Sequence, residues 1–391
     1  MGCTMSRYGN GLIELKDSVL EQVLGTLLLI WPLGMNLRKP VKDILRSVIW
    51  AAVRCTSVHR ACKDMEKGPS GKTVRTHIKV HKLRSLSRKI PKLLMIPLRN
   101  ILRPGRYKFA VDITLIPYHG KPKKNSNEIV RSKAKHGTTH FHGYASLYII
   151  VHNKRVTLDV VWMRKNTDLV KVLDRFIKHI KNEGYEIKLL CLDKGFYQAR
   201  VLKYLQVSKI PAIIPAVPRG RSGGLRNKLG TSQGYRTIYT LRSWKYGLEV
   251  TYNLYVVRKY CKNKYGRLGT KIFSYAVLNT KLPVERVFGE YRLRFGIESS
   301  YRLMNSCRIR TSSRDPTYRL YLVFVSFLII NYWVASQWLY ISEPRKGGRK
   351  IYKDELALST LKRLLDTALE RRFGLKTFLI CPEWKPISYR V

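Results

Sequence analysis

The sequence predicts a mixed α/β fold: a sheet with helices packed on it, preceded by an all-helical region. Three observations carry that expectation. From Leu12 to about Met95 apolar residues recur at helical spacing, first in Leu12 to Ile30 and then in Val41 to Val53, with no alternating run. After Pro104 the pattern turns strand-like, in Tyr107 to Ile116, Gly143 to Val151, Val156 to Met163 and Glu186 to Asp193. Between the third and fourth of these runs, Leu169, Val170, Val172, Leu173, Phe176 and Ile177 give Asp168 to Asn182 a helical apolar face. A helical Gln198 to Leu205 and a strand-like Ile210 to Ala216 follow. Three strands and then helix–strand alternation specify a mixed sheet covered by helices.

In the N-terminal region, Lys67-Gly68-Pro69-Ser70-Gly71 reads as a loop, and Ser70 or Thr73 can cap a helix carrying Val74, Ile78, Val80 and Leu83. Its basic residues Arg75, Lys79, Lys82 and Arg84 suit either the second helix of a helix-turn-helix DNA reader or an ordinary solvated face. Gly71-Lys72-Thr73 ends like a phosphate loop, but Glu66 stands where that motif needs glycine and no buried strand precedes it. From Pro218 to about Gly230 the chain is basic and glycine-rich (Arg219, Gly220, Arg221, Gly223, Gly224, Arg226, Lys228). Strand-like Tyr235 to Leu241, Leu248 to Arg258 and Lys271 to Leu278 then form a β-rich insertion at about 218–282. A final helical region begins near Pro283, a basic linker covers Pro344 to Lys350, and a last helix runs from Asp354 to Arg371. The expected divisions are 1–100, 101–340 and 341–391.

Charge narrows the function. With 75 Lys and Arg against 25 Asp and Glu, the 391 residues carry a formal net charge of +50, spread along the chain rather than confined to a tail. That excess calls for a polyanionic partner, and a long nucleic-acid binding path fits. The seven cysteines are scattered without a CxxC pair, as expected of reduced thiols in a cytoplasmic, nucleoid-associated protein. Cys55, His59 and Cys62 have metal-ligand types but no second ligand pair at zinc-finger spacing, so zinc is not expected. Leu320 to Tyr340 is long enough to span a bilayer. Ser326, Asn331, Ser336 and Gln337 interrupt it, favouring a buried core helix and no membrane role.

Acidic residues are scarce, so those inside apolar strands are informative. Asp112 sits in Phe109-Ala110-Val111-Asp112-Ile113-Thr114, and Asp193 ends Leu189-Leu190-Cys191-Leu192-Asp193. Burying either carboxylate is costly without a compensating cation. Paired divalent ions would compensate both, since hard cations take oxygen ligands and keep positions open for water and phosphate. The bland alternative for each is a loop hydrogen bond or a Lys or Arg partner. On a continuous helix, Tyr291, Arg294, Glu298, Arg302 and Asn305 would share one stripe, with Leu293, Ile297 and Met304 on another face. An ordinary Arg294–Glu298 ion pair is the alternative there.

These residues resemble the cut-and-paste insertion-sequence transposases, whose DDE triad sits on a ribonuclease-H-like core. One group carries Tyr, two residues, Arg, three residues, Glu, six residues, Lys; this chain has Tyr291, Arg294 and Glu298 at that spacing, with Asn305 where Lys belongs. The resemblance covers roughly Tyr107 to Tyr332, including Asp193-Lys-Gly-Phe-Tyr197 and the β-rich insertion. It implies a ribonuclease-H-like mixed sheet with flanking helices, with catalytic, metal-holding Asp112, Asp193 and Glu298. It also implies two Mg²⁺ ions, or Mn²⁺ in substitution, about 4 Å apart. They would activate the attacking water or 3′-hydroxyl and stabilise the leaving oxygen. Tyr291, Arg294, Arg302, Asn305 and Arg308 are the expected DNA contacts, with Arg302 or Arg308 replacing the missing Lys, and joining two ends implies a homodimer on double-stranded DNA. The alternatives are a nuclease of the same fold without strand transfer, or an inactive DNA-binding relic. His136, His140 and His142 read as a loop that packs on the sheet or contacts DNA rather than a metal site. Trp244 is expected in the core, with stacking on a flipped base as the alternative.

Overall fold

Nine strands among the described residues join into one sheet, and the alternation of side chains along its central strand decides what each face covers. The computed structural model describes residues 15–31, 40–122, 127–151, 154–218, 223–230, 233–262, 268–345, 348–352 and 354–376. Leu12, Arg219, Gly220 and Arg221, named above, lie outside the described residues, as do Cys3 and Cys381 among the cysteines and Lys346 and Gly347 within the basic linker.

Five helices open the chain: α1 (Leu15–Leu28), α2 (Pro40–Val53), α3 (Val58–Asp64), α4 (Gly71–Lys79) and α5 (Leu83–Met95). Ser57 and Ser70 cap α3 and α4, each hydroxyl accepting from the backbone N–H three residues on. The basic segment expected as one helix is two. Val74 and Ile78 are buried on α4, but Val80, about 200° around the helix from Ile78 at 100° per residue, is exposed, and the chain turns before Leu83 opens α5. Helices α3 and α4 approach so closely that a Cβ on Gly71 would lie 2.8 Å from the Cα of His59. Gly71→Ala should force them apart and cost about 1–3 kcal/mol, read as a lower denaturant midpoint. An unchanged midpoint would contradict that packing.

The central sheet is built from β1 (Gly105–Pro117), β2 (Val130–Lys135), β3 (Thr138–Val151), β4 (Lys154–Met163), β5 (Tyr185–Leu192) and β6 (Ala212–Pro215), with α6 (Leu169–Asn182) and α7 (Ala199–Val207) between them. Strands β4, β3 and β1 pair antiparallel in that order, and β1, β5 and β6 run parallel, the arrangement expected of a ribonuclease-H-like core. Strand β2 was not expected. His136 and Gly137, with φ of 49° and 74°, make a two-residue turn that pairs Lys135 with Thr138, so the histidine-rich run is a hairpin rather than a loop. The β-rich insertion, β7 (Tyr235–Ser243), β8 (Leu248–Lys262) and β9 (Leu268–Leu278), extends the same sheet, because β9 pairs with β6. Trp244 lies at the β7–β8 turn and is 89% exposed, which overturns the core placement: the turn closes a hairpin at the edge of the sheet, outside the hydrophobic core.

Side chains on alternate positions serve two cores. Phe109, Val111, Leu190 and Leu192 pack toward α6 and α7. Ala110, Tyr144, Tyr148 and Cys191 face the other way, into a core with α1 to α5, α8 (Val284–Arg292), α9 (Gly296–Ser306), α10 (Pro316–Tyr340) and α11 (Leu358–Phe373). Between the last two helices, β10 (Ser342–Arg345) and β11 (Gly348–Ile351) form a hairpin where a basic linker was expected.

Helix α10 is long and apolar enough to cross a membrane, yet most of it is buried inside the protein. Its polar groups find protein partners. The Asn331 amide donates to Leu94 O and Thr157 O at 3.0 and 2.7 Å, and its oxygen accepts from Thr157 N at 3.1 Å. Ser326 donates to Cys307 O, and Gln337 to Leu356 O. Core burial thus accounts for its apolarity.

Two buried histidines set an acid response. Burial, reinforced by Arg319, holds His142 down at about 3, and burial with Arg175 holds His179 down at about 4. Both stay neutral when folded, whereas an unfolded histidine takes a proton near 6.5. Their contribution is therefore full above about pH 6.5 and is lost as pH falls toward those values, each at about 1.4 kcal/mol per pH unit. Urea midpoints should drop between pH 7 and pH 5, before most carboxylates titrate; a flat profile would contradict neutral burial.

Candidate active site

The register of β1 on β5 pairs Val111 with Leu192, so the next residues, Asp112 and Asp193, lie side by side on neighbouring parallel strands. The Asp193 N–H donates to Val111 O at 3.2 Å, which fixes that adjacency. Asp112 shares a face with Ala110, the face that α8 to α10 cover. Its Oδ1 accepts from Ile113 N at 2.8 Å. Asp193 caps the 3₁₀ turn Lys194–Phe196, its Oδ2 accepting from Gly195 N at 3.2 Å.

One guanidinium spans the pair. Arg294 places one terminal nitrogen 3.2 Å from Asp112 Oδ2 and the other 3.4 Å from Asp193 Oδ1, and is only 8% exposed. Burial opposes its charge, but Tyr291, Asp112 and Asp193 more than offset this and raise its pKa. Its guanidinium lies 5.1 Å from the Tyr291 ring centroid, and Tyr291 packs on Tyr275 at 5.0 Å. The Tyr291 hydroxyl donates to Leu192 O at 3.3 Å, beside Asp193, and burial pushes its own pKa up. Lys108 ties α8 to β1 through Glu290 at 2.6 Å. A cavity of about 570 Å³ opens over the pair, lined by Asp112, Asp193, Arg294, Tyr275, Lys135 and Lys194 among others.

The stripe expected along one helix is interrupted. Tyr291 ends α8, Arg294 sits on the 3₁₀ turn Leu293–Phe295, and Glu298 lies on α9. A 3₁₀ turn advances about 120° per residue rather than 100°, so it swings Arg294 out of line with α9. The side chain of Glu298 lies outside the described residues. Arg302 and Asn305 are exposed farther along α9 and do not line the cavity. Arg308, beyond the end of α9, lines a different cavity. The structure therefore brings Asp112, Asp193, Tyr291 and Arg294 together, and sets Arg302, Asn305 and Arg308 elsewhere. Lys135 and Lys194 escaped sequence reading because, in so basic a chain, one more lysine carries little signal; only the position of Lys194 directly after Asp193 could have marked it.

Among the described residues no three His, Cys, Asp or Glu side chains cluster as a metal site. The donor chemistry of the pair still suits a hard divalent cation: two carboxylates on rigid neighbouring strands converge on one positive charge, here the guanidinium.

The family described as Transposase DDE domain matches residues 103–327, more than half of the chain. The chain belongs to the DDE transposase family. That match takes in both aspartates of this transposase, its β7–β9 extension and the Tyr291–Arg294 segment. No curated protein matches it. Among solved structures, a piggyBac transposase synaptic complex with hairpin DNA is similar at 12% identity, over 94% of this chain and 80% of that one, with a TM-score of 0.49.

Proposed function

We propose that this transposase cuts DNA at the ends of a mobile element and joins the freed 3′-hydroxyl to target DNA, using Asp112, Asp193 and Glu298 and divalent metal. The observation that carries the proposal is the convergence of Asp112 and Asp193 on one buried cationic position inside the family-matched segment. Asp112 and Asp193 would hold Mg²⁺ or Mn²⁺, with Glu298 as the third carboxylate. When bound, two such ions would supply Lewis acidity to the scissile phosphate and lower the pKa of the attacking hydroxyl.

The chain's own residues supply the rest. Arg294, a bidentate donor already desolvated, would turn from the carboxylates to a phosphate oxygen when those carboxylates hold metal. Tyr291 holds Arg294 and the Leu192 carbonyl in place from behind. Lys135 and Lys194, on the wall of the same cavity, neutralise neighbouring phosphates. A second groove of about 590 Å³, lined by Arg131, Arg164, Lys165, Arg200 and Lys245, begins beside Ile113 and continues the basic path. With a net charge of +50, DNA association is expected to weaken steeply with salt. Paired ends call for a homodimer on DNA.

The test is product analysis. Wild-type protein, Mg²⁺, a duplex carrying the sequences that flank this gene and a supercoiled target should give donor strands covalently joined to target. Nicks without joining would indicate a nuclease, and binding without cleavage under Mg²⁺ or Mn²⁺ a DNA-binding relic.

A further inference from the structure

Past the end of α9 the chain builds a cationic cavity that no carboxylate among the described residues neutralises. It measures about 130 Å³ and is lined by Arg308, Arg310 and Arg319, with Tyr144, Pro117 and Thr311. Arg319 is 5% exposed, and its guanidinium is held by neutral groups: it donates to Ser313 O and, at 3.1 Å, to Thr311 O. Among the described residues none of the three arginines forms an ion pair. The Tyr144 side chain is fully buried, and its hydroxyl, a donor, has no hydrogen-bond partner among the described residues.

Such an arrangement is unfavourable by itself. Burial lowers the pKa of Arg308, and Arg310 lowers it further against partial offset by Cys55 and Tyr144; burial does the same to Arg319, with Arg308 adding to it against partial offset by Tyr144 and Tyr118. Arg308, flanked by like charges on the buried Arg319 and the exposed Arg310 and set beside a buried hydroxyl, is stabilised by an anion that accepts from all of them. The volume equals roughly four water molecules at about 30 Å³ each, room for a phosphate group and not for a nucleoside.

We propose that Arg308, Arg310, Arg319 and Tyr144 form a binding subsite for a backbone phosphate of the DNA strand that enters the active site. The subsite rests on the transposase reading for its choice of phosphate source. Position favours that source over a free anion. Ile116 follows Asp112 by four residues on the same face of β1, roughly 13 Å along the strand at about 3.3 Å per residue, and Tyr144 pairs with Thr114 midway. The carboxylates and the cavity therefore lie within the span of a few nucleotides of one DNA strand. Arg308 then acts at a distance from Arg294, as a positioning contact outside the cut site.

The experiment titrates inorganic phosphate into the full chain, without DNA or metal, at ionic strength held constant with chloride. Thermal unfolding is followed for wild type, Arg308→Gln, Tyr144→Phe and a control, Arg103→Gln, whose residue is exposed and outside the cavity. Phosphate should raise Tm in wild type and control, and apparent affinity should fall about tenfold in Arg308→Gln and less in Tyr144→Phe. Equal responses in all four would overturn the subsite, since general screening of a basic chain treats them alike. Tyr144→Phe retains the ring and decides the matter if Arg308→Gln fails to fold. Salt dependence of duplex binding then identifies the source: Arg308→Gln should reduce the slope by about one, and an unchanged slope would overturn the DNA assignment. Because the phosphate arm needs neither DNA nor cleavage, a protein that shows the shift yet never cuts DNA would sink the transposition chemistry and keep the anion site.

Discussion

Asp193→Asn should leave the protein folded and DNA-bound while lowering Mg²⁺-dependent cleavage by roughly 10³-fold or more. The substitution keeps size and shape, so the cap on the Lys194–Phe196 turn survives through the amide oxygen accepting from Gly195 N. What disappears is one of two negative charges facing the cation position. An amide is a poor ligand for a hard divalent ion, and neither Lys135 nor Lys194 on the same cavity wall can replace it. Single-turnover cleavage of a labelled duplex, together with a binding isotherm for the same duplex, checks both halves. Cleavage within tenfold of wild type would remove Asp193 from the chemistry.

Arg294→Ala should show the second largest effect, and in two different quantities. Without metal, it leaves Asp112 and Asp193 partly buried, facing each other with no guanidinium between them, a loss on the order of 3 kcal/mol. Added Mg²⁺ should recover much of that loss, because the ions occupy the same electrostatic position. Wild type should respond less, since its guanidinium must be displaced first. Cleavage should fall about 10²-fold, the usual consequence of removing one charged donor from a developing phosphate charge. Denaturant midpoints with and without Mg²⁺ read the first effect. A variant as stable as wild type and indifferent to Mg²⁺ would show that Arg294 does not guard the carboxylates.

Part of this site was legible in the sequence because acids are so rare that an Asp in an apolar strand stands out. The same rule applies to Asp159 in Val156 to Met163, and there it marks something else. Asp159 is fully buried, bound by Arg175 at 2.7 and 2.8 Å, and that arginine also donates to Ser87 at 2.6 Å. A strand carboxylate facing α5 and α6 is paired with an arginine that ties the elements together, whereas one beside a second carboxylate over a cavity is a candidate metal ligand; only tertiary pairing tells them apart. The break between Tyr291 and Glu298 was hidden for another reason. Periodicity assumes 100° per residue, and the 3₁₀ turn before Gly296, a weak helix former, violates it locally.

Helix partners were likewise invisible. Amphipathic patterns identify a buried face without saying against what it packs. The last helix, expected in a C-terminal extension, docks on the first helices instead: Trp50 stacks on Phe373 at 5.7 Å, and Arg54 pairs with Asp366 at 2.6 Å. In contrast, the polar residues inside Leu320 to Tyr340 did foretell a core helix, because Ser326, Asn331 and Gln337 require protein partners and the fold supplies them.

The central claim is that Asp112 and Asp193 together form the metal-holding centre of this transposase. Calorimetric titration of Mn²⁺ into wild type and into the Asp112→Asn, Asp193→Asn double variant tests it most directly, with no DNA present. Saturable binding in wild type that is absent from an equally folded double variant is the predicted result. Equal Mn²⁺ binding by both proteins would contradict the claim and place the metal at other residues.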